Sequence, residues 1–263
     1  MSKSYSYNKS TISAAFSAAA TTYEQAAFIE KTIGQHLCER LDFIKIQPQK
    51  ILDVGCATGY FTSKLQQLYP TAYTIGIDLA FGMTKFATEQ YKLPFVCADA
   101  AQTPFLPQQF DLIFANCSFN FIDNLTVALQ ELQRILAPNG LLLFSALGPQ
   151  SLQELGLDNY WLDTQAIGNL LLETPFKNPV VDNDILTFSY SDLATLLQDL
   201  AQTGAYNIDL SQVANLQQPC QVNIDVVFGL AWKAESPQQR KQQKTSFIPI
   251  NSIKYIKNDT VPG

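Results

Sequence analysis

Apolar residues along this chain keep two alternating rhythms. Short, mostly apolar runs fall at 51–54, 73–77, 95–98, 110–115 and 141–147, and each is short enough for a strand. Between them, 59–68, 82–90 and 126–136 carry apolar residues at helical spacing. Pro70 and Pro94 close the first two stretches, and Ala137-Pro138-Asn139-Gly140 closes the third. The last run, 141–147, is almost wholly apolar, as a strand buried on both faces should be. Strand and helix alternating over 51–147 predict an α/β fold with a doubly wound, mostly parallel sheet.

The flanks are less regular. Residues 1–10 are polar. Residues 11–46 read as helix, Ala-rich over 14–20, then apolar at Phe28, Ile29, Ile33, Leu37 and Leu41, with Pro48 beyond. In the second half, 151–173 reads as helical in part and 180–188 as a strand. Ser191-Asp192 caps an amphipathic helix over 191–201, and 222–232 alternates as a strand. The predicted organisation is an N-terminal helical segment (1–47), one principal domain (48–233) and a polar C-terminal tail (234–263). A length of 263 residues, 47% of them hydrophobic, suits one sizeable core with an appended subregion.

The chemistry starts where the first strand ends. Ile51-Leu52-Asp53-Val54 runs into Gly55-Cys56-Ala57-Thr58-Gly59, and the run 73–77 ends in Asp78. A glycine turn after one strand and an acid closing the next describe a nucleotide site at the carboxyl edge of a parallel sheet. A dinucleotide fingerprint would need glycine at 55, 57 and 60, but Ala57 and Tyr60 occupy two of those positions. A phosphate loop would need Gly-Lys-Ser/Thr, which does not follow. What remains resembles the S-adenosylmethionine site of Rossmann-like methyltransferases. There the turn approaches the amino-acid end of the ligand and the second acid holds the ribose. A glycine turn in another α/β protein is the plain alternative, and Asp78 weighs against it.

Composition removes other chemistries. A formal net charge of −6 is a poor match for broad nucleic-acid binding. Five scattered cysteines without a CxxC pair, and no signal peptide, suggest reduced thiols in a cytoplasmic protein. No apolar run reaches the length of a membrane span. His36 is the only histidine. A histidine-rich metal site is therefore absent, no metal is expected, and the lone imidazole reads as a surface residue. Methyl transfer from an activated sulfonium suits such a chain, because proximity and alignment can carry it and no catalytic residue has to be named.

Several residues near the strand ends keep two readings. Asp53 either braces the loop or meets the ligand amine. Asp99, with Ala100 after it, either flanks an adenine ring or caps a turn. Asn116 could present its amide to ligand or substrate. Phe119, Asn120 and Phe121 wall an acceptor pocket or belong to the core. Asp111 starts its strand, at the edge away from the chemistry.

The chain also resembles the malonyl-[acyl-carrier protein] O-methyltransferases of biotin synthesis. The shared segments are A-F-S-A-A-A-T-T-Y-E (15–24), L-D-V-G-C-A-T-G (52–59), D-L-A-F-G-M (78–83), A-L-Q-E-L-Q-R-I-L-A-P-N-G-L-L-L-F-S (128–145) and G-P-Q-S-L-Q-E-L (148–155). The segment 188–207, ending G-A-Y-N, and V-V-F-G-L-A-W-K (226–233) complete them. The resemblance implies a Rossmann-like class I methyltransferase fold with a short C-terminal lid. It implies S-adenosylmethionine as cofactor, held by Asp53, Gly55, Ala57, Gly59, Asp78 and Leu79, with Asp99, Ala100, Asn116 and Tyr23 carried over beside them. It implies methylation of the free carboxylate of malonyl on acyl-carrier protein, or malonyl-CoA, with neither nucleic acid nor membrane as partner. The carrier protein is acidic, so Arg240, Lys241 and Lys244 are candidates for its dock. Ala57 stands where the family commonly has glycine. The stretches before Trp161 and between Asn207 and Val222 are shorter than is usual, which implies a reduced cover over the acceptor. The alternatives are another small acceptor, such as a quinone precursor, and a non-catalytic paralogue or assembly factor that binds S-adenosylmethionine.

Overall fold

A computed structural model describes residues 8–156, 161–206 and 220–234. The apolar runs all enter one seven-stranded sheet, with β1 (Lys50–Val54), β2 (Tyr73–Asp78), β3 (Phe95–Cys97), β4 (Phe110–Ala115), β5 (Leu136–Leu147), β6 (Phe176–Tyr190) and β7 (Cys220–Lys233) in the order β3-β2-β1-β4-β5-β7-β6. The first five strands are parallel neighbours, and β7 runs antiparallel to both β5 and β6. The helices are α1 (Lys9–Ala19), α2 (Tyr23–Ala26), α3 (Phe28–Glu39), α4 (Tyr60–Leu68), α5 (Phe81–Gln90), α6 (Leu125–Ile135), α7 (Thr164–Glu173) and α8 (Leu193–Gln202). The chain leaves β1 toward β2 on one side, while β4 pairs with its other side. That reversal opens a crevice at the carboxyl ends of β1 and β4.

The period of two sorts the core into two layers. Ile51, Leu112, Phe114, Leu141 and Leu143 pack with Ile33, Leu37 and Leu65 on one face. Leu52, Val54, Ile113, Leu142 and Phe144 pack with Leu129 and Leu132 on the other. Each aliphatic side chain so buried is worth about 1.5–3 kcal/mol. Asp53 alternates onto the first of these faces, where α4 covers it. Helix ends follow local chemistry. The side chains of Asn124, Asp163 and Asp192 accept from Val127 N, Ala166 N and Thr195 N to start α6, α7 and α8.

Three elements depart from the sequence reading. The predicted helix over 11–46 is three helices. Asn8 caps the first two residues early, and Thr22 Oγ1 donates to Ala19 O and Gln202 O, each at 3.0 Å, drawing the chain out of helix after Ala20. The predicted strand 180–188 extends over 176–190 because it continues through a bulge. Asn178 is left-handed (φ 49°), Pro179 has no N–H to give, and the register shifts between Lys177 and Val180. The fifth strand starts at Leu136 rather than 141. It pairs Leu136 with Phe110 and then bulges around a left-handed Asn139.

Gly229 of β7 lies opposite Phe144 of β5. A methyl on Gly229 would sit 2.1 Å from the Phe144 ring. That ring is fully buried and stacked on Phe119 with centroids 4.7 Å apart, so it has nowhere to go. Gly229→Ala should therefore cost about 1–3 kcal/mol, read as a lower urea midpoint at unchanged slope.

Candidate functional site

The loop after β1 is built on left-handed backbone at alternate residues: Gly55 (φ 69°), Ala57 (φ 45°) and Gly59 (φ 87°). Gly55 N and Cys56 N both donate to Ile77 O at 2.9 Å, and Ala57 N donates to Asp78 Oδ2 at 2.9 Å. The loop is thus fastened to the end of β2. Gly55 is needed for contact as well as for its backbone angle, since a methyl there would lie 2.5 Å from Ser118 Cβ. Ala57 adopts the left-handed region with a Cβ, at a cost of about 1–2 kcal/mol.

A cavity opens at the crevice. Gly55, Ala57, Asp78, Leu79, Asp99, Ala100, Asn116 and Tyr23 all line it. Asp53 and Gly59 do not. Asp53 is 2% exposed beneath the loop and accepts Thr62 Oγ1 at 2.6 Å, so it braces the turn from below. Gly59 begins α4, where a methyl would lie 2.7 Å from the Phe95 ring, so its lack of a side chain serves packing against β3.

The other candidates have the following partners within the protein. Asp99 caps a turn, accepting Ala101 N at 2.8 Å, and also pairs with Lys9 Nζ at 2.6 Å. Asn116 has its amide committed to protein, with Nδ2 donating to Glu30 O at 2.9 Å and Oδ1 accepting Ser145 Oγ at 2.7 Å. Phe119 belongs to the core, whereas Phe121 lines the cavity with Phe16 edge-on at 5.2 Å. Asn120 is spent on the backbone N–H and C=O of Leu147. Asp111 holds Gln49 N and Lys50 N at the opposite edge of the sheet, and His36 is exposed on α3. Arg240, Lys241 and Lys244, and most of the two shortened stretches, lie outside the described residues.

The amino-terminal helices form a wall that the sequence did not announce. Glu24 of α2 accepts from Thr58 Oγ1 in the loop and pairs with Lys31 at 2.6 Å. Glu30 of α3, Tyr206 after α8, Ser118 after β4, and Lys9 and Phe16 of α1 also line the cavity. Glu30 carried a signal. It falls on the stripe Ala26, Glu30, Ile33, Leu37, where an acid among buried apolar residues is out of place. Tyr206 and Ser118 carried none beyond their segments.

Burial dominates the electrostatics. It pushes Glu30 and Asp53 up to about 7 and Asp78 up to about 6. Neighbouring donors oppose it: Thr62 at Asp53, Ala80 N and Ala57 N at Asp78, and for Glu30 its own backbone and the nearby Tyr206 hydroxyl, which lies short of a completed hydrogen bond. A cavity edged with carboxyls and one ion-paired lysine suits a ligand bearing positive charge and hydroxyl donors.

Comparison with known proteins agrees with this geometry. Residues 52–144 match the family described as Methyltransferase domain. The chain is 34% identical to the malonyl-[acyl-carrier protein] O-methyltransferase of Legionella pneumophila, over 92% of this chain and 96% of that one. It is also 34% identical to malonyl-[acyl-carrier protein] O-methyltransferase 1 of Coxiella burnetii, over 95% and 97%. Among solved structures it is similar to a SAM-dependent methyltransferase of Thermotoga maritima, with a TM-score of 0.56, 14% identity, and coverage of 84% of this chain and 99% of that chain.

The raised carboxyls set a pH dependence. A carboxyl whose pKa is higher folded than unfolded adds stability that is full below the unfolded value near 4 and is lost as pH rises through the folded value, here about 6 to 7. The melting midpoint of the ligand-free chain should therefore fall between about pH 5 and pH 8. Asp53→Asn keeps an acceptor for Thr62 but cannot ionise, so its midpoint should fall less steeply over that range. An undiminished slope in calorimetric scans of the variant would show that Asp53 is not a source of the effect.

Proposed function

The chain belongs to the malonyl-[acyl-carrier protein] O-methyltransferase family, and from that membership we propose that it transfers a methyl group from S-adenosylmethionine to the free carboxylate of malonyl carried on acyl-carrier protein. The observation that carries the reading is a coincidence of two things. Similarity spans nearly the whole chain, and the fold opens its cavity at the switch point between a glycine loop and the acid that closes the next strand.

The lining fits the cofactor. Asp78 offers carboxylate lone pairs toward the ribose hydroxyls beyond those already taken by Ala57 N and Ala80 N. Gly55 and Ala57 would present backbone to the amino-acid end, and Leu79, Asp99 and Ala100, which line the cavity, would flank the adenine. Bound there, S-adenosylmethionine supplies an electrophilic methyl on a positively charged sulfur. The side chains of the chain then have three tasks: to hold the ligand, to seal the crevice with α1 and α2, and to align the acceptor. No general base is required, because a carboxylate acceptor is already ionised near neutral pH. Alignment within a closed site supplies the rate. This agrees with a chain whose one histidine lies exposed on α3.

Masking the malonyl charge would let elongation enzymes that act on uncharged acyl chains accept the product, which is the role of this step in biotin synthesis. Among the described residues no helix is long and apolar enough to cross a membrane, and all five cysteines are free thiols. A cytoplasmic enzyme is the corresponding reading.

The test is label transfer from methyl-labelled S-adenosylmethionine to malonyl-[acyl-carrier protein], with malonyl-CoA and acetyl-[acyl-carrier protein] alongside. Label on malonyl alone is expected. No label on any malonyl thioester, from protein that binds the cofactor, would overturn the assignment. Asp78→Asn removes the charge and leaves one oxygen to accept either Ala57 N or Ala80 N, so the variant's fold is checked by its melting midpoint alongside. Cofactor affinity should fall by about 1.5–3 kcal/mol, roughly ten- to a hundredfold by calorimetry.

A further inference from the structure

A carboxylate acceptor needs hydrogen-bond donors, and the cavity offers it no free cation among the described residues. Lys9 lines the wall, but its Nζ is held 2.6 Å from Asp99 Oδ2. Two lining hydroxyls, in contrast, are buried without a partner: Ser118 Oγ and the Tyr206 phenol oxygen. Buried polar atoms are almost always paired, so two orphans lining one cavity call for a ligand.

Their placement fits an acceptor. Ser118 follows β4 and lies against Gly55 of the loop, where a methyl on Gly55 would come within 2.5 Å of Ser118 Cβ. Tyr206 follows α8, and its ring rests edge-on against Trp161 with centroids 6.4 Å apart. Its hydroxyl faces the Glu30 carboxyl without completing a hydrogen bond to it. Asn116, an amide in the same lining, is already committed to Glu30 O and Ser145 Oγ.

We propose that Tyr206 and Ser118 form the subsite that receives the acceptor's carboxylate, donating neutral hydrogen bonds to it. The proposal rests on the carboxyl-methylation reading above. In the transfer, a carboxylate oxygen lone pair forms the new O–CH₃ bond as the S–CH₃ bond breaks, the electron pair of that bond stays on sulfur, and no proton moves. The oxygen loses negative charge along the way. An arginine would hold the charged ground state more tightly than the transition state, whereas neutral hydroxyls orient the oxygen with less of that penalty. Glu30 would oppose an anionic acceptor if fully ionised. Burial raises its carboxyl to about 7, which removes part of that opposition near neutral pH.

The test is a comparison of wild type, Tyr206→Phe and Ser118→Ala in turnover of malonyl-[acyl-carrier protein], with S-adenosylhomocysteine affinity measured by calorimetry on the same preparations. Tyr206→Phe removes one oxygen and keeps the ring on Trp161. Its KM for the malonyl acceptor should rise about ten- to a hundredfold while nucleoside affinity stays within about twofold, since a hydrogen bond to a charged group is lost and nothing at the loop changes. Ser118→Ala should move the acceptor KM in the same direction. An active wild type whose two variants keep its acceptor KM would overturn the subsite alone, as would a matching loss of nucleoside affinity in both. A wild type that binds S-adenosylhomocysteine and leaves malonyl unmethylated would overturn the parent reading, and the subsite with it.

Discussion

The carboxylate of Asp78 is the joint on which the site depends. One oxygen accepts Ala57 N from the loop after β1, and the other accepts Ala80 N at the first turn of α5. The preceding carbonyl, Ile77 O, takes Gly55 N and Cys56 N. The end of one strand therefore fixes the loop of its neighbour and the start of its own helix. Burial raises the cost of ionising this acid, and the two backbone donors offset part of it. A site held in this way is arranged before ligand arrives, so binding does not have to order the loop.

Around that joint the sheet supplies the floor and the amino-terminal helices supply the walls. Ser13 Oγ of α1 donates to Leu79 O, and Ser17 Oγ accepts Gly82 N of α5, both at 3.1 Å. The approach is close enough that a methyl on Gly82 would lie 2.5 Å from Ser17 O. Contact of this kind sets the position of α1. The partly exposed Lys9–Asp99 pair adds about 0–1 kcal/mol at most. On the other side, Glu24 reaches Thr58 and Asn116 reaches the Glu30 carbonyl, so each helix of the N-terminal segment touches a different strand end.

The parts of this design that local rules control could be read from the sequence. Short, nearly continuous apolar runs at 51–54, 110–115 and 141–147 gave the parallel strands, and the Ser191-Asp192 cap gave the start of α8. Gly55 and Asp78 stood out because a left-handed turn and an acid at a strand end are visible without knowing the fold. Contacts distant in sequence were not visible. Nothing near Tyr206 says that Glu30 will face it, since the two residues meet only after α8 packs beside α2. Phe119 and Phe121 could not be told apart until the short turn that holds them sent one into the core and the other to the cavity. Asp53 looked like a ligand residue by position, yet alternation along β1 turns it under α4.

A methyl-transfer site also has to spare its own side chains, and burial provides this. Cys117 lines the cavity, and desolvation pushes its thiol far above the ordinary range, so it stays protonated and a poor nucleophile. The phenols of Tyr23 and Tyr206 are raised in the same way and remain neutral. Glu30 and Asp78 are shifted toward protonation, and the Asp99 carboxylate is tied to Lys9 and Ala101 N. On the proposed reading, the acceptor brings its own ionised oxygen into a cavity whose resident groups are neutral or engaged. Selectivity for the acceptor over the protein then follows from the same desolvation that makes the carboxyls costly to bury.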